Sequence, residues 1–305
     1  MRRTFALTSR IADHAVAFVD GGNPLGASGG RGSDSGSGEP AVPRQASTVV
    51  LVRDGDSGPQ AFVMRRQATM AFAARQHVFP GGGVDLRDCD PDVPWGGPPL
   101  PTWAERLGVE EPGAAGLVCA AVRELFEECG VLLAGAGPQD VVADLSDQSW
   151  EVDRLALLDR SLALSELLQR RGLILRTDLL TAWSRWCTPV FEPRRYDTWF
   201  FVAALPTGQL AREVGGEADH AEWLDASAAA IGGADGSLAM MPPTIVTLEE
   251  VADHPDVASL LRCRRSVRQV MPWLVRAPDS LSIQVDIDGD GGGQPGPPSG
   301  LEDLR

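Results

Sequence analysis

Arg123-Glu124-Leu125-Phe126-Glu127-Glu128-Cys129-Gly130-Val131 is the stretch that decides how this 305-residue chain is read. Leu117, Ala121, Leu125 and Cys129 recur at the helical period and Gly130 supplies a stop, so the spacing predicts a helix over 115–129. On that helix Glu124, Glu127 and Glu128 stand at i, i+3 and i+4, which gathers three carboxylates on one face. Three like charges so close repel one another, and a cation is expected with them. Arg123 neutralises part of the charge. A hard divalent cation with oxygen ligands suits the rest, in the way Mg2+ is held by carboxylates and substrate phosphates. The alternative is a solvated acidic helix face.

Working outward, the apolar runs 48–52 and 61–64 are separated by a turn-forming spacer of Asp, Gly, Ser and Pro, and read as two antiparallel strands. His77-Val78-Phe79-Pro80 leads into Gly81-Gly82-Gly83, where successive glycines permit a backbone path closed to residues with a Cβ. The stretch 86–114 has no regular period and is expected to be an insertion with a short helix around 103–107. Leucines at 155, 158, 162, 164, 167 and 168 predict one helix over 154–170. Strands are expected at 183–190, 198–205 and 220–224, and helices at 244–252, behind Pro242-Pro243, and 257–264. The chain is therefore α/β in class. Residues 1–45, dominated by Gly and Ser over 21–40, are expected to be a flexible extension. The folded domain spans 46–285, and 286–305 form a disordered acidic Gly/Pro tail.

All 27 basic residues are arginine, so a Walker-type lysine, a Schiff base and a lysine general base are excluded. Against 42 acidic residues they leave a net charge of −15, which argues against non-specific nucleic-acid binding. No apolar run approaches the roughly 18 residues needed to cross a bilayer. Five cysteines without C-x-x-C spacing read as buried thiols in a reducing compartment, and the expected location is cytoplasmic.

Arg123 to Val131 matches the second half of the Nudix hydrolase signature, R-E-U-x-E-E-x-G-U with U apolar, at every fixed position, and Gly81-Gly82-Gly83-Val84-Asp85 after Phe79-Pro80 resembles its first half. That resemblance implies a Nudix α/β/α sandwich with a mixed central sheet, here with an insertion inside the motif and extra C-terminal helices. It implies that Glu124, Glu127 and Glu128 bind Mg2+ or Mn2+, that Arg123 orients them, and that the chain hydrolyses a phosphoanhydride. From Gly82 to Arg123 there are 41 positions where G-x5-E-x7-R has 14, an excess of 27. Counted eight back from Arg123, the signature's intervening glutamate falls on Ala115. Its role is expected to be vacant or to have moved to Asp85, Glu110 or Glu111. The split motif resembles that of the peroxisomal or mitochondrial coenzyme A diphosphatases, as do Ala46 to Gly55, Val63-Met64-Arg65-Arg66 and Glu192 to Phe201.

Nudix enzymes commonly draw a catalytic base from a distant loop, and Glu217, in Gly215-Gly216-Glu217, is the first candidate with Glu213 the second. Arg65, Arg66 and Arg195, with Gly82 in the loop, are candidates for contact with substrate phosphates. The expected partner is a small-molecule nucleoside diphosphate derivative, coenzyme A or acyl-CoA first, then ADP-ribose, NADH or a dinucleotide. The alternative from another class is a Nudix-fold module that binds its ligand without catalysis. The insertion is expected either to cover the attached group or to make a homodimer contact.

Overall fold

The computed structural model describes residues 1–7, 9–19, 40–68, 74–214, 216, 218–277 and 280–287. The elements up to the middle of the chain are β1 (Arg2–Ala6), α1 (Ser9–Val19), β2 (Arg44–Asp54), β3 (Pro59–Arg66), β4 (His77–Val78), β5 (Gly81–Gly83), β6 (Trp95–Gly96), α2 (Leu100–Leu107), α3 (Glu111–Cys129) and β7 (Ala134–Gly135). There follow α4 (Gln148–Leu158), α5 (Leu164–Arg171), β8 (Ile174–Arg176), β9 (Thr181–Cys187), β10 (Tyr196–Ala204), β11 (Ala218–Asp225), α6 (Ala226–Asp235), α7 (Pro242–Ala252), α8 (Val257–Arg262), β12 (Gln269–Val270), β13 (Trp273–Ala277) and β14 (Ser280–Asp286). They divide into a larger unit, 45–184 with 198–267, and a smaller one, 1–44 with 185–197 and the chain from 268.

In the larger unit the sheet runs β11-β3-β2-β10-β9, with β4 beside β3 and β5 beside β2. The predicted hairpin is present: β2 and β3 are antiparallel with Val52 opposite Ala61. Their continuous apolar runs are explained by burial on both faces. Val49 and Leu51 of β2, Phe62 and Met64 of β3, and Trp199 and Phe201 of β10 join Leu117, Val118, Ala121 and Leu125 of α3 in one core cluster. The alternate residues Val50, Val52, Ala61, Val63 and Val202 are buried outside that cluster, and α6 and α7 lie against β3. The architecture is a mixed sheet with helices on both sides.

Helix α3 starts earlier than its periodicity suggests, at Glu111 with a proline in the first turn, and is buried continuously from Ala114 to Arg123. It ends where expected. Gly130 takes φ 67°, a left-handed conformation costly for residues with a Cβ, and its N–H caps Phe126 O. The 86–114 insertion contributes to the core through its helix α2. Trp103 and Leu107 of α2 are fully buried; Trp103 Nε1 donates to Thr177 Oγ1 at 3.2 Å, and Trp199 Nε1 donates to Leu107 O at 3.0 Å.

Three expectations change. The single helix over 154–170 is two, α4 and α5, because Asp159 caps Ser161 N at 2.8 Å and Arg160 adopts φ 65°, a local turn that competes with the helix although the leucine period runs through it. The strand expected at 183–190 ends at Cys187. Residues 1–45 are not an extension throughout: β1 pairs with β14, Phe5 opposite Ile283, and β13 completes that antiparallel sheet in the smaller unit. β1 and β14 are short and mix polar with apolar residues, which hid them among loop-like residues. The tail from 288 lies outside the described residues, as does most of 21–40.

Candidate active site

Arg123 organises the larger unit's acidic cluster. Its guanidinium has five N–H donors, and each finds an acceptor. Nε and Nη2 fork onto Asp88 at 2.8 and 2.9 Å, Nη1 reaches Glu124 Oε1 at 2.8 Å and Glu127 Oε2 at 3.2 Å, and Nη2 also donates to Gly83 O at 2.9 Å. Asp88 is 3% exposed. It is the residue that sequence reasoning missed. None of Ala115, Asp85, Glu110 or Glu111 takes the intervening role; counting forward from Gly82, the sixth residue is Asp88, so the signature's first half is intact with Asp in place of Glu. The 27 extra positions therefore lie between Asp88 and Arg123. Backward counting from Arg123 crosses the insertion, and forward counting from the glycine does not.

A short 3-10 turn, Leu86–Cys89, presents Asp88. Asp85 caps it, accepting from Arg87 N at 3.0 Å, while Asp88 Oδ2 accepts from Asp85 N at 2.8 Å. Hydrogen bonds from Arg87 hold the Asp85 carboxyl well below its ordinary range, at about 2. Asp85 thus supports the turn.

The glycine loop closes the other side. Gly81 N donates to Glu128 Oε2 at 2.8 Å, and β5 pairs with β2, Gly82 opposite Ser47. A Cβ at Gly82 would overlap the Glu124 carboxylate. Gly82→Ala is accordingly expected to push Glu124 off Arg123. Thermal unfolding should move down by several degrees, as a 1–3 kcal/mol overpacking cost implies for a chain this size; an unchanged midpoint would show the contact to be slack.

Burial pushes the Glu124 carboxyl up to about 7, with Arg123 offsetting part of the effect, and burial also raises Glu127. For Arg123 itself, burial pulls down but the Asp88 hydrogen bonds and the facing carboxylates more than offset it, so the guanidinium is held above its ordinary value. Three carboxylates, Asp88, Glu124 and Glu127, thus meet one guanidinium, and a fourth, Glu128, stands on the same helix face against Gly81. That excess of buried negative charge on an all-oxygen donor set fits a hard divalent cation. In their present rotamers Glu124 and Glu127 turn to Arg123 and Glu128 to Gly81, and among the described residues no three His, Cys, Asp or Glu side chains are arranged as a metal cage.

The other candidates fall differently. Arg65 pairs with Asp219 at 2.7 Å on an exposed strand end, and Arg66, the next residue, alternates to the other face. Arg195 is not available for phosphate in this arrangement. It sits buried in the smaller unit, donating to Thr188 O at 3.0 Å and Ala41 O at 2.8 Å, with Cys187 Sγ and Met271 Sδ at 3.5 Å. Glu213 accepts from Gly216 N at 2.7 Å, and Glu217 lies outside the described residues.

A mixed sheet between helices, with a glycine loop laid against a helix carrying Arg-Glu-x-x-Glu-Glu, has the architecture of the Nudix fold. No protein-family profile matches the chain. Individual relatives do. The chain is 29% identical to an acyl-coenzyme A diphosphatase, NUDT19, of Gallus gallus over 215 residues, 54% of this chain and 56% of that one. It is 26% identical to a putative nudix hydrolase 7 of Caenorhabditis elegans over 70% of this chain and 62% of that one. The chain therefore matches less than two thirds of the length of these two curated relatives. A crystal structure of a NUDIX hydrolase from Alicyclobacillus acidocaldarius superimposes with a TM-score of 0.64 at 28% identity, covering 74% of this chain and 99% of that one. Fold, motif helix and relatives give the chain a resemblance to Nudix hydrolases, and among them to coenzyme A diphosphatases.

Proposed function

We propose that this chain is a metal-dependent hydrolase of phosphoanhydride bonds that cleaves the diphosphate of a nucleoside diphosphate derivative, with coenzyme A or an acyl-CoA as the first substrate to test. The observation that carries this reading is the cluster of Glu124, Glu127 and Glu128 on one helix face, the first two held by Arg123 and the third by Gly81 N of the glycine loop. The resemblance to a protein named acyl-coenzyme A diphosphatase supports the choice of substrate.

Glu124, Glu127 and Glu128 would hold Mg2+ or Mn2+, which supplies charge neutralisation at the phosphate oxygens and lowers the pKa of the attacking water. The chain's own residues do the rest. Arg123 fixes two of the carboxylates, and the Asp88 fork fixes Arg123. The glycine loop keeps Cβ atoms away from Glu124. Water adds to one phosphorus, the bridging P–O bond breaks, and the leaving phosphate takes the electron pair. With coenzyme A the products are 4′-phosphopantetheine and adenosine 3′,5′-bisphosphate.

Glu217 is the proposed base. Glu217→Gln is expected to lower kcat by about 10²- to 10⁴-fold without changing Mn2+ affinity, whereas Glu213→Gln, which removes only a turn cap, changes kcat far less. The reverse order would transfer the role to Glu213. Screening coenzyme A, ADP-ribose, NADH and diadenosine polyphosphates with each metal assigns the substrate. If none is cleaved, the proposal fails.

Five free cysteines support the cytoplasm as its place of action. No helix among the described residues is long and apolar enough to cross a membrane.

A further inference from the structure

Glu127 and Glu128 stand in the last turn of α3, where a helix leaves four carbonyls without intrahelical donors and frays first. Their charge also opposes the helix dipole there, and the last turn contains no basic residue. Each of the four carbonyls nonetheless has a donor. Gly130 N reaches Phe126 O at 3.0 Å, Arg154 Nη1 reaches Glu127 O at 2.7 Å, Val214 N reaches Glu128 O at 3.3 Å and Arg212 N reaches Cys129 O at 3.1 Å.

Beyond the helix's own cap residue, Gly130, the donors come from two places. Segment 209–214 runs back along the end of the helix, and the Gln209 side chain extends the pairing by accepting from Leu132 N and donating to Leu132 O, both at 2.9 Å. Arg154 comes from α4 and is 2% exposed. Its Nε and Nη2 fork onto Glu151, Nε to Oε2 at 3.0 Å and Nη2 to Oε1 at 2.6 Å, and Glu151 Oε2 lies 3.7 Å from Arg212 Nη2.

We infer that Arg154 is a positioning residue for the metal-carrying turn, and that Glu151 ties it to Arg212 so that segment 209–214 is registered on the carbonyls of Glu128 and Cys129. The inference rests on the metal role proposed for those glutamates. The physical reason is precision: carboxylates on a fraying turn hold no fixed geometry, and a site needs its groups within about 0.5 Å. One guanidinium satisfies the Glu127 carbonyl, places positive charge at the helix C-terminus, and grips the carboxylate that faces the loop. Lysine could do the first two but cannot fork. Glu213 lies within this segment and Glu217 follows three residues after it, so its register also sets where the candidate bases begin.

The test combines amide hydrogen exchange of the metal-free full-length chain with Mn2+ titration and steady-state kinetics. In Glu151→Gln, exchange at the Arg212 and Val214 amides should rise about 2- to 5-fold, the worth of one exposed ion pair, with Val122 in the helix interior unchanged. In Arg154→Lys the Glu127 carbonyl keeps a cation, so the loop amides should respond as in Glu151→Gln while Mn2+ affinity is retained. In Arg154→Met exchange should rise about tenfold or more, Mn2+ affinity should fall, and kcat should drop with KM unchanged. Unchanged exchange at Arg212 and Val214 in both Glu151→Gln and Arg154→Lys would overturn the inference, whether or not Arg154→Met folds. If the wild-type chain turns over no diphosphate, the hydrolase reading fails by itself, because the exchange measurements need neither metal nor substrate.

Discussion

Replacing Glu127 and Glu128 together by glutamine should abolish Mg2+-dependent diphosphate hydrolysis, with a fall in kcat of about 10³-fold or more, while leaving the chain folded. Loss of several kcal/mol of charge stabilisation corresponds to that factor, since each 1.36 kcal/mol is tenfold in rate. Folding should survive because the amides preserve the hydrogen bonds: Glu128 accepts from Gly81 N and Glu127 accepts from Arg123 Nη1, and an amide oxygen can do both. Removing two like charges from one helix face should if anything raise the urea midpoint of the metal-free chain. Calorimetric titration with Mn2+ should show binding weakened in step with turnover. Activity within tenfold of wild type would remove these glutamates from the chemistry and restore the reading of a solvated acidic face.

Asp88→Ala is expected to have the largest effect on stability. It strands the Nε and one Nη2 donor of Arg123 in a site where that side chain is 10% exposed, and it deletes one of the carboxylates that balance the guanidinium. Breaking a buried pair by removing one partner costs about 3–5 kcal/mol. It also releases the Asp85 amide, which Asp88 accepts in the capping turn. Urea unfolding of the metal-free chain measures the loss directly, and a cost under about 1 kcal/mol, the worth of an exposed pair, would contradict the geometry. Asp88→Glu, the residue found at this position in the signature, should recover most of the loss. The carboxylate returns, while the extra methylene must be fitted into a closely packed turn.

These two experiments address parts of the site that differ in how readily the sequence discloses them. Glu124, Glu127, Glu128 and Arg123 lie within six consecutive residues, and helical spacing alone puts the three glutamates on one face. The hairpin of β2 and β3, the strand β10 and the stop at Gly130 are legible for the same reason: apolar period and turn residues are properties of a contiguous segment. Where contiguity fails, so does the reading. Asp88 is separated from Arg123 by the whole insertion, and only its spacing from Gly82 distinguishes it from Asp85 or Asp90. Arg195 has the composition of a phosphate contact, yet carbonyls at Thr188 and Ala41 occupy its guanidinium. The leucine period runs unbroken across 159–163, but a capping aspartate and a left-handed arginine divide the helix there.

By itself, then, the sequence determined the acidic helix, the α/β class, the Nudix resemblance and the chemistry a carboxylate trio invites, because spacing along a helix converts directly into a shared face. Tertiary structure decided which aspartate grips Arg123, that Trp103 and Leu107 of the insertion are core, and that Arg154 and segment 209–214 close the carbonyl end of the acidic helix. Those are choices of partner between distant segments. They follow from which groups packing buries together, where each donor must find an acceptor or lose about 1–3 kcal/mol, and no periodicity in the chain records that pairing.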